Sequence, residues 1–348
     1  MRRGGFRMAQ TPGFIQTLVT STRIRLARNL AAYPFPEKLD AALAKQVVHL
    51  VEKELGKLDD FQRNDMDKLS KAEATLLQEQ HLISPALIRK KGIASAFISP
   101  DKSISVMVNE EDHLRQQYLY KGFDLYKAYE RISGIDEGLG SALNFAYDEK
   151  LGYLTACPSN LGTGMRASVM MFLPGLARSG ELKSFLPTLK AGGLTVRGVF
   201  GEGTAAEGYS YQVSNERTLG VSERDVLEQM VRMTMTLGDL ELRAREKMVK
   251  EEKIPLKDGC LRAYGALTNC ATLTLKELTE GMVKVRLGMA LGFFKARDVQ
   301  GFNDFLADMR PASFRLENGL QGASEYDCNL TRAEIVNKVL PELVVRTD

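Results

Sequence analysis

The stretch Leu194-Thr195-Val196-Arg197-Gly198-Val199-Phe200 is followed, after the turn Gly201-Glu202-Gly203-Thr204, by a second strand-like run over 208–213, and together they read as a β-hairpin. Apolar residues recur along the first arm, and the glycines supply the backbone freedom that a tight reversal needs. A hairpin joins antiparallel strands, whereas parallel strands need a helix-length crossover. Upstream, 14–30 suits an opening strand, Ser103-Ile104-Ser105-Val106-Met107-Val108 alternates as a strand does, and 153–157 is a further short one. Between them, 40–55 carries Ala42, Leu43, Val47, Val48, Val51 and Leu55 near helical spacing, and 54–79 reads as a solvated helix or helix pair. Helices are expected over 123–132, 136–147, 166–178 (kinked or ended by Pro174) and 181–186, and from a capping box at Ser222 and Asp225 to 250. With βαβ alternation poor, the fold class is α+β, an antiparallel sheet flanked by helices. After Lys250 strand signals nearly vanish, and Thr274 with Glu277 resembles a capping box before the periodic run 278–294. A boundary at 251–257 therefore divides a sheet-containing domain, 14–250, from a small α-helical C-terminal domain, 251–348.

The chain has 348 residues, 44% hydrophobic and 26% charged, which suits one or two globular domains and excludes a disordered or fibrous protein. Lys and Arg total 47 against 44 Asp and Glu, and the resulting +3 is too balanced for a protein built to coat nucleic acid. No apolar run, of which 169–173 is typical, approaches the roughly 18 residues of a membrane span. Residues 1–8 are basic, but Ala9, Gln10, Thr11 and Pro12 follow in place of an apolar core, so no secretory signal is expected. Four cysteines (Cys157, Cys260, Cys270 and Cys328) do not read as a disulfide framework at this length, and a reducing cytoplasm is the expected setting.

Chemistry-bearing residues concentrate in a few places. In Ser21-Thr22-Arg23-Ile24-Arg25 the two arginines share one face of a strand, where they repel each other unless an anion such as a polyphosphate lies between them; a solvated edge strand is the plain alternative. Asn109-Glu110-Glu111-Asp112-His113-Leu114-Arg115 sets three acids at a strand end, either a loop cap or a carboxylate cluster able to hold a cation and take its proton. Cys157-Pro158-Ser159-Asn160-Leu161-Gly162-Thr163-Gly164-Met165-Arg166 reads as a strand-to-helix connection whose glycines let backbone N–H groups approach a ligand. There Cys157 is either an inert thiol or a thiolate favoured by Arg166 and the helix start. Arg197-Gly198-Val199-Phe200-Gly201-Glu202-Gly203-Thr204 is a strand entering a glycine turn, and Ser214-Asn215-Glu216-Arg217-Thr218-Leu219-Gly220 reads as a loop. Taken together, Arg23, Arg25, Arg115, Arg166 and Arg197 fall at strand ends or glycine turns, and an arginine cage around a nucleotide polyphosphate accounts for that placement. Three histidines, His49, His81 and His113, with scattered cysteines argue against zinc. No protein metal site is expected, and any Mg²⁺ is held mainly by the nucleotide's own oxygens.

In this order, Ser-Thr-Arg-Ile-Arg, Asn-Glu-Glu-Asp-His-Leu-Arg, Cys-Pro-Ser-Asn-Leu-Gly-Thr and Arg-Gly-x-x-Gly-Glu resemble the phosphagen (guanidino) kinases. The bacterial protein-arginine kinases of the McsB type are the branch that fits, for three reasons: the chain opens almost at the Ser-Thr-Arg strand, Phe200 stands where arginine kinases carry another arginine, and Ala263-Tyr264-Gly265-Ala266-Leu267-Thr268-Asn269-Cys270 with Val285-Arg286-Leu287-Gly288 is similar to the C-terminal domain of that branch. The resemblance implies ATP-dependent phosphorylation of arginine side chains in proteins, marking them for Clp-type proteolysis. It implies ATP binding by Ser21, Thr22, Arg23, Ile24, Arg25, His81, Arg115, Arg166, Ala167, Ser168, Val169, Met170, Arg197, Gly198, Val199, Phe200, Gly201 and Glu202. Glu111, with Glu110 beside it, becomes the catalytic carboxylate, and Cys157 sits against the substrate guanidinium. The family's second catalytic glutamate falls at Ala205, and Glu207 is the expected substitute. The Arg-Asp-x-x-Arg-Ala motif that reads phosphoarginine in that branch stands here as Cys328-Asn329-Leu330-Thr331-Arg332-Ala333, leaving Asn329 and Arg332 as the sensing candidates.

The implied cofactors are ATP and Mg²⁺. The implied partners are protein substrates with accessible arginines, an activator protein and Clp protease machinery, with a homodimer as one expected assembly and no membrane or nucleic acid. Two other readings stay open: a kinase for free arginine or another small guanidino compound, and a weakly active or inactive adaptor that binds phosphoarginine.

Overall fold

A strand of alternating character, β1 (Val19–Arg28), lies inside an eight-stranded sheet and fixes the orientation of everything around it. The computed structural model describes residues 15, 17–90, 92–198 and 208–347. Along β1 the even-numbered Thr22, Ile24 and Leu26 are at most 1% exposed, while Ser21, Arg23 and Arg25 are half-buried on the opposite face. The other strands are β2 (Gln62–Asp65), β3 (Ser95–Ile98), β4 (Ile104–Val108), β5 (Leu114–Lys121), β8 (Met165–Phe172), β9 (Leu194–Gly198) and β10 (Ser210–Asn215), in the order β2-β3-β4-β5-β1-β8-β10-β9. Every pairing is antiparallel. A separate two-stranded ladder joins β6 (Tyr147–Asp148) to β7 (Gly152–Tyr153).

The even face of β1 packs with the helices Ala41–Leu55 and Leu125–Leu143 and the first part of the helix Glu223–Leu267. Burying an Ile or Leu there contributes roughly 1.5–3 kcal/mol. On the other face, the segment holding Met66, Leu82, Ile83 and Leu87 covers β3 and β4, where it meets Ala96, Ile98 and Met107, and reaches Leu119 of β5. The arginines of β1 share this face, Arg23 being paired directly with Leu119. Apolar side chains as far as Ala244 belong to the cluster that includes the sheet, and those from Met248 onward form a second cluster in the C-terminal region.

The α+β expectation holds, with β9 and β10 pairing antiparallel from Leu194↔Asn215 to Gly198↔Tyr211. The helix from Ala41 is capped by Asp40, and the Ser222–Asp225 and Thr274–Glu277 capping boxes are both formed.

Several local expectations are corrected. The Met- and Leu-rich stretch from 166 is strand β8, with a helix only at Pro174–Ser179, because hydrogen bonding to β1 on one side and β10 on the other outweighs its helix propensity. Cys157–Arg166 thus leads into a strand, and the helix dipole proposed for it is absent. The two helices expected over 123–147 are one, Leu125–Leu143, because Ala128, Ile132, Ile135 and Leu139 continue a single buried stripe. Within 54–79 a polar edge strand, β2, precedes the helix Lys71–Glu79; an edge strand with little burial leaves no apolar alternation to read. The strand expected at 153–157 is confined to Gly152–Tyr153. The long helix runs on to Leu267, interrupted by non-helical backbone at Glu252 just before Pro255.

Candidate active site

Antiparallel register carries the odd face of β1 across its neighbours, since directly paired residues point the same way. Arg25 faces Arg166 on β8 and Gln117 on β5, and Arg23 faces Ser168. Ala27 pairs with Arg115, Ser168 pairs with Ser214 on β10, and Gln212 pairs with Arg197 on β9. Arg115, Arg23, Arg25, Arg166 and Arg197 therefore form a row across one face of the sheet. Arg115 and Arg166 are the second residues of β5 and β8 and Arg197 the last but one of β9, at strand ends as the sequence suggested, whereas Arg23 and Arg25 lie inside β1.

Arg115 is paired with Glu110 at 2.8 Å, whereas Arg23, Arg25 and Arg166 form no ion pair among the described residues. Arg23 Nη2 donates to Gln212 Oε1 at 3.0 Å, and Arg166 Nη2 to Ser214 Oγ at 3.3 Å. The Nε atoms of Arg25 and Arg166 are buried without a hydrogen-bond partner. Desolvation first, and then the positive charges of Arg115 and Arg166, push the Arg23 pKa down to about 10; desolvation followed by Arg23, Arg115 and Arg166 holds that of Arg25 well below the ordinary arginine value. Unpaired buried donors and crowded like charges are costly unless an anion meets them. A nucleotide polyphosphate fits that requirement.

The acidic turn is built by its own neighbours. Asn109 takes φ 61, with its amide donating to the carbonyls of Ala44 and Ile93 at 3.0 and 2.7 Å. Buried Asp112 accepts from Asn29 Nδ2 at 2.6 Å and from the Ala156 N–H at 2.7 Å, tying the turn to the segment that carries Cys157. His113 Nδ1 accepts the Leu30 N–H at 3.1 Å. Between these anchors Glu111 is exposed and hydrogen-bonds the Cys157 side chain. Desolvation, with Asp112 and Glu110 alongside, raises the Glu111 pKa above the ordinary glutamate value. Cys157 Sγ also lies 3.1 Å from Ser159 Oγ.

Glu110, grouped with the catalytic carboxylate on sequence, has a different environment. It is 2% exposed, both its oxygens accept from Arg115 Nη1 at 2.8 Å, and Ser84 Oγ donates to it. It orients an arginine of the row and does not share the exposed position of Glu111.

The loop after Cys157 is held equally firmly. Thr218 Oγ1 donates to the Ser159 and Leu161 carbonyls at 3.0 and 2.8 Å, and Arg28, paired with Asp136 at 2.8 Å, donates to Thr163 O at 3.0 Å. Gly162 has φ +106, and a Cβ there would lie 2.3 Å from the Thr218 carbonyl oxygen, backbone that cannot swing aside. Gly162→Ala is expected to destabilise the protein by about 2–4 kcal/mol, read as a lowered thermal midpoint in calorimetry; an unchanged midpoint would contradict this packing.

Of the other sequence candidates, Ser21, Ser168 and Met170 share the arginine face by register, whereas Thr22, Ile24, Ala167 and Val169 point into the core and offer only backbone. Gly198 ends β9. Val199, Phe200, Gly201, Glu202, Ala205 and Glu207 lie outside the described residues. His81 is brought over the row by its carbonyl, which accepts from Gln117 Nε2 at 2.5 Å. Asn329 and Arg332 are together in the C-terminal region, where the Arg332 guanidinium donates to Asn329 Oδ1 at 2.7 Å and to Leu273 O at 2.9 Å, 4.8 Å from the Phe314 ring. Sequence reasoning passed over Asn29, Asp112 and Gln212; Asp112 had a local signal, lying inside the acidic motif, but Asn29 and Gln212 had none that identifies their partners. Among the described residues no group of three or more His, Cys, Asp or Glu is placed to hold a metal ion, and no helix is long and apolar enough to cross a membrane.

Residues 42–244 match the ATP:guanido phosphotransferase C-terminal catalytic domain, and residues 253–347 the protein-arginine kinase McsB C-terminal domain. The chain is 38% identical over 328 residues to a protein-arginine kinase of Caldanaerobacter subterraneus subsp. tengcongensis, covering 93% of this chain and 97% of the relative. It is 39% identical to one from Clostridium kluyveri, covering 93% and 94%. Among solved structures it resembles the duplicated taurocyamine kinase of Schistosoma mansoni (TM-score 0.60, 28% identity, 72% of this chain but only 36% of that one) and a lombricine kinase (TM-score 0.59, 25% identity, 65% and 67%). With a guanidino-kinase catalytic domain followed by the McsB-type C-terminal domain, this chain belongs to the protein-arginine kinase family.

Proposed function

We propose that the protein transfers the γ-phosphoryl group of ATP to arginine side chains of proteins, with the catalytic unit ending and the C-terminal unit beginning at 251–257. The observation that carries the proposal is the pair of buried, unpartnered guanidinium nitrogens on Arg25 and Arg166, in a row with Arg23 and Arg115. Those residues would hold the triphosphate, and Mg²⁺ would enter bound to its oxygens.

A substrate guanidinium is cationic and has no acceptor lone pair, so it is a poor nucleophile until a carboxylate positions it and takes a proton. Glu111 is suited to that task, being exposed, negatively charged and anchored by a rigid turn. Cys157, hydrogen-bonded to it, supplies a second contact for the same group. In the reaction a guanidinium nitrogen forms the N–P bond while the bond from γ-phosphorus to its bridging oxygen breaks. ADP leaves with that oxygen, and Glu111 receives the displaced proton. Charge developing on the transferred group is met by the arginines already in place, which need no reorganisation. The marking of proteins for Clp-type proteolysis, a cytoplasmic setting and an activator partner belong to the same proposal by family resemblance.

The test is incubation with γ-labelled ATP and either an unfolded arginine-rich protein or free arginine, scored as acid-labile phosphate. Label on protein supports the proposal. Label on free arginine alone would assign a small-molecule kinase, and none in either would assign an adaptor. A pH profile gives a second check. Catalysis requires ionised Glu111, and its raised pKa means that protonation sets in at higher pH than for an ordinary glutamate. The acid limb of kcat/KM, which reports the free enzyme, should thus lie above the reference glutamate value of about 4.3, with activity falling as pH drops through it.

A further inference from the structure

The C-terminal unit reaches the rim of the arginine row through a short stretch of chain. The segment after the helix Lys71–Glu79 crosses the row's face: His81 O accepts from Gln117, Leu82 O accepts from Ser105 Oγ at 2.5 Å, and Ser84 Oγ donates to Glu110. The C-terminal unit grips the start of this segment. The Glu79 carboxylate accepts the N–H groups of Ala312 and Ser313 at 2.9 and 3.1 Å, at the first turn of the helix Pro311–Glu317. Arg310, immediately before that helix, donates from Nη1 to the Glu79 carbonyl and lies 3.3 Å from His81 Nε2. With the Glu79 carboxylate engaged by amides, the Arg310 charge is not neutralised in a direct ion pair. Desolvation and the charges of Arg310 and Arg23 lower the His81 pKa to about 4, so the ring is neutral and its Nε2 can accept from Arg310. Neutral His81 thus sits between two cations, Arg310 on the side of the C-terminal unit and Arg23 at the near end of the arginine row.

We propose that Arg310 of the C-terminal unit is a nucleotide-contacting residue, so that the ATP site is completed across the junction of the two units. This rests on the proposed kinase reading and extends it: the C-terminal unit sets nucleotide affinity directly.

The decisive variant is Arg310→Gln in the full chain, because its amide can still donate to the Glu79 carbonyl while the charge is lost. Titration with Mg·ADP is expected to show about ten-fold weaker binding, as for loss of one partly exposed charged hydrogen bond, with a matching rise in KM for ATP and kcat within about two-fold of wild type. Arg310→Lys should recover most of the affinity. Lys121→Ala, which removes the separate inter-unit ion pair with Asp304 (2.8 Å), should bind ADP as wild type does. Wild-type affinity in Arg310→Gln would overturn the inference, as would an equal loss in Lys121→Ala, which would reduce the effect to docking. A wild-type chain that binds no ADP would instead refute the kinase reading itself.

Discussion

Replacing Glu111 by glutamine is expected to lower the rate of protein phosphorylation by about 10²–10⁴-fold while leaving the fold and ADP affinity intact. The size follows from the chemistry: glutamine keeps the shape and can orient the guanidinium through its carbonyl, but it cannot take the proton that must leave as the N–P bond forms. The structural cost is small because Glu111 is exposed and its turn is fixed by neighbours, with Asn109, Asp112 and His113 making the anchoring hydrogen bonds. Single-turnover assays with labelled ATP, beside calorimetric ADP titrations, separate the two effects. A variant retaining more than about a tenth of the wild-type rate would remove Glu111 from its assigned role.

Arg25→Met should act in opposite directions on function and stability. Arg25 is crowded by Arg23, Arg115 and Arg166, and its Nε has no partner. In the absence of an anion this is a destabilised arrangement, held by the pairing of β1 with β5 and β8. Methionine keeps the aliphatic length and removes the repulsion, so the nucleotide-free protein is expected to melt higher, by about 2–4 °C. The same substitution removes a preorganised cation from the transferring phosphoryl group, lowering the rate by about 10²–10³-fold and weakening the stabilisation that ATP confers. Melting curves with and without Mg·ADP, together with rates, test the pair of effects. A variant that melts lower without nucleotide yet responds to ADP normally would show that the arginine row is not under electrostatic strain.

The parts of this site that were legible in sequence are local. Arg23 and Arg25 sit two residues apart on a strand, the acids of 110–112 are contiguous, and Cys157 lies five residues before the glycine that shapes its loop. Strand periodicity and short-range motifs carry that information without knowledge of partners. The antiparallel character was legible for the same reason, since the 194–213 hairpin is closed by neighbours in sequence. Where a stretch takes its state from strands far away, the reading failed. The region from 166 has the composition of a helix but is a strand, because β1 and β10 hydrogen-bond both its edges.

The kind of chemistry is written in residue types and short spacings: arginines two apart on a strand, three contiguous acids, and a thiol before a glycine loop. Their division of labour comes from packing in three dimensions: Glu110 serves Arg115 while Glu111 faces Cys157, Thr22, Ile24, Ala167 and Val169 turn into the core, and Arg310 reaches the same rim from the far end of the chain. Charge repulsion and hydrogen bonding depend on separation in space, and register and docking bring residues more than two hundred positions apart within a few ångströms.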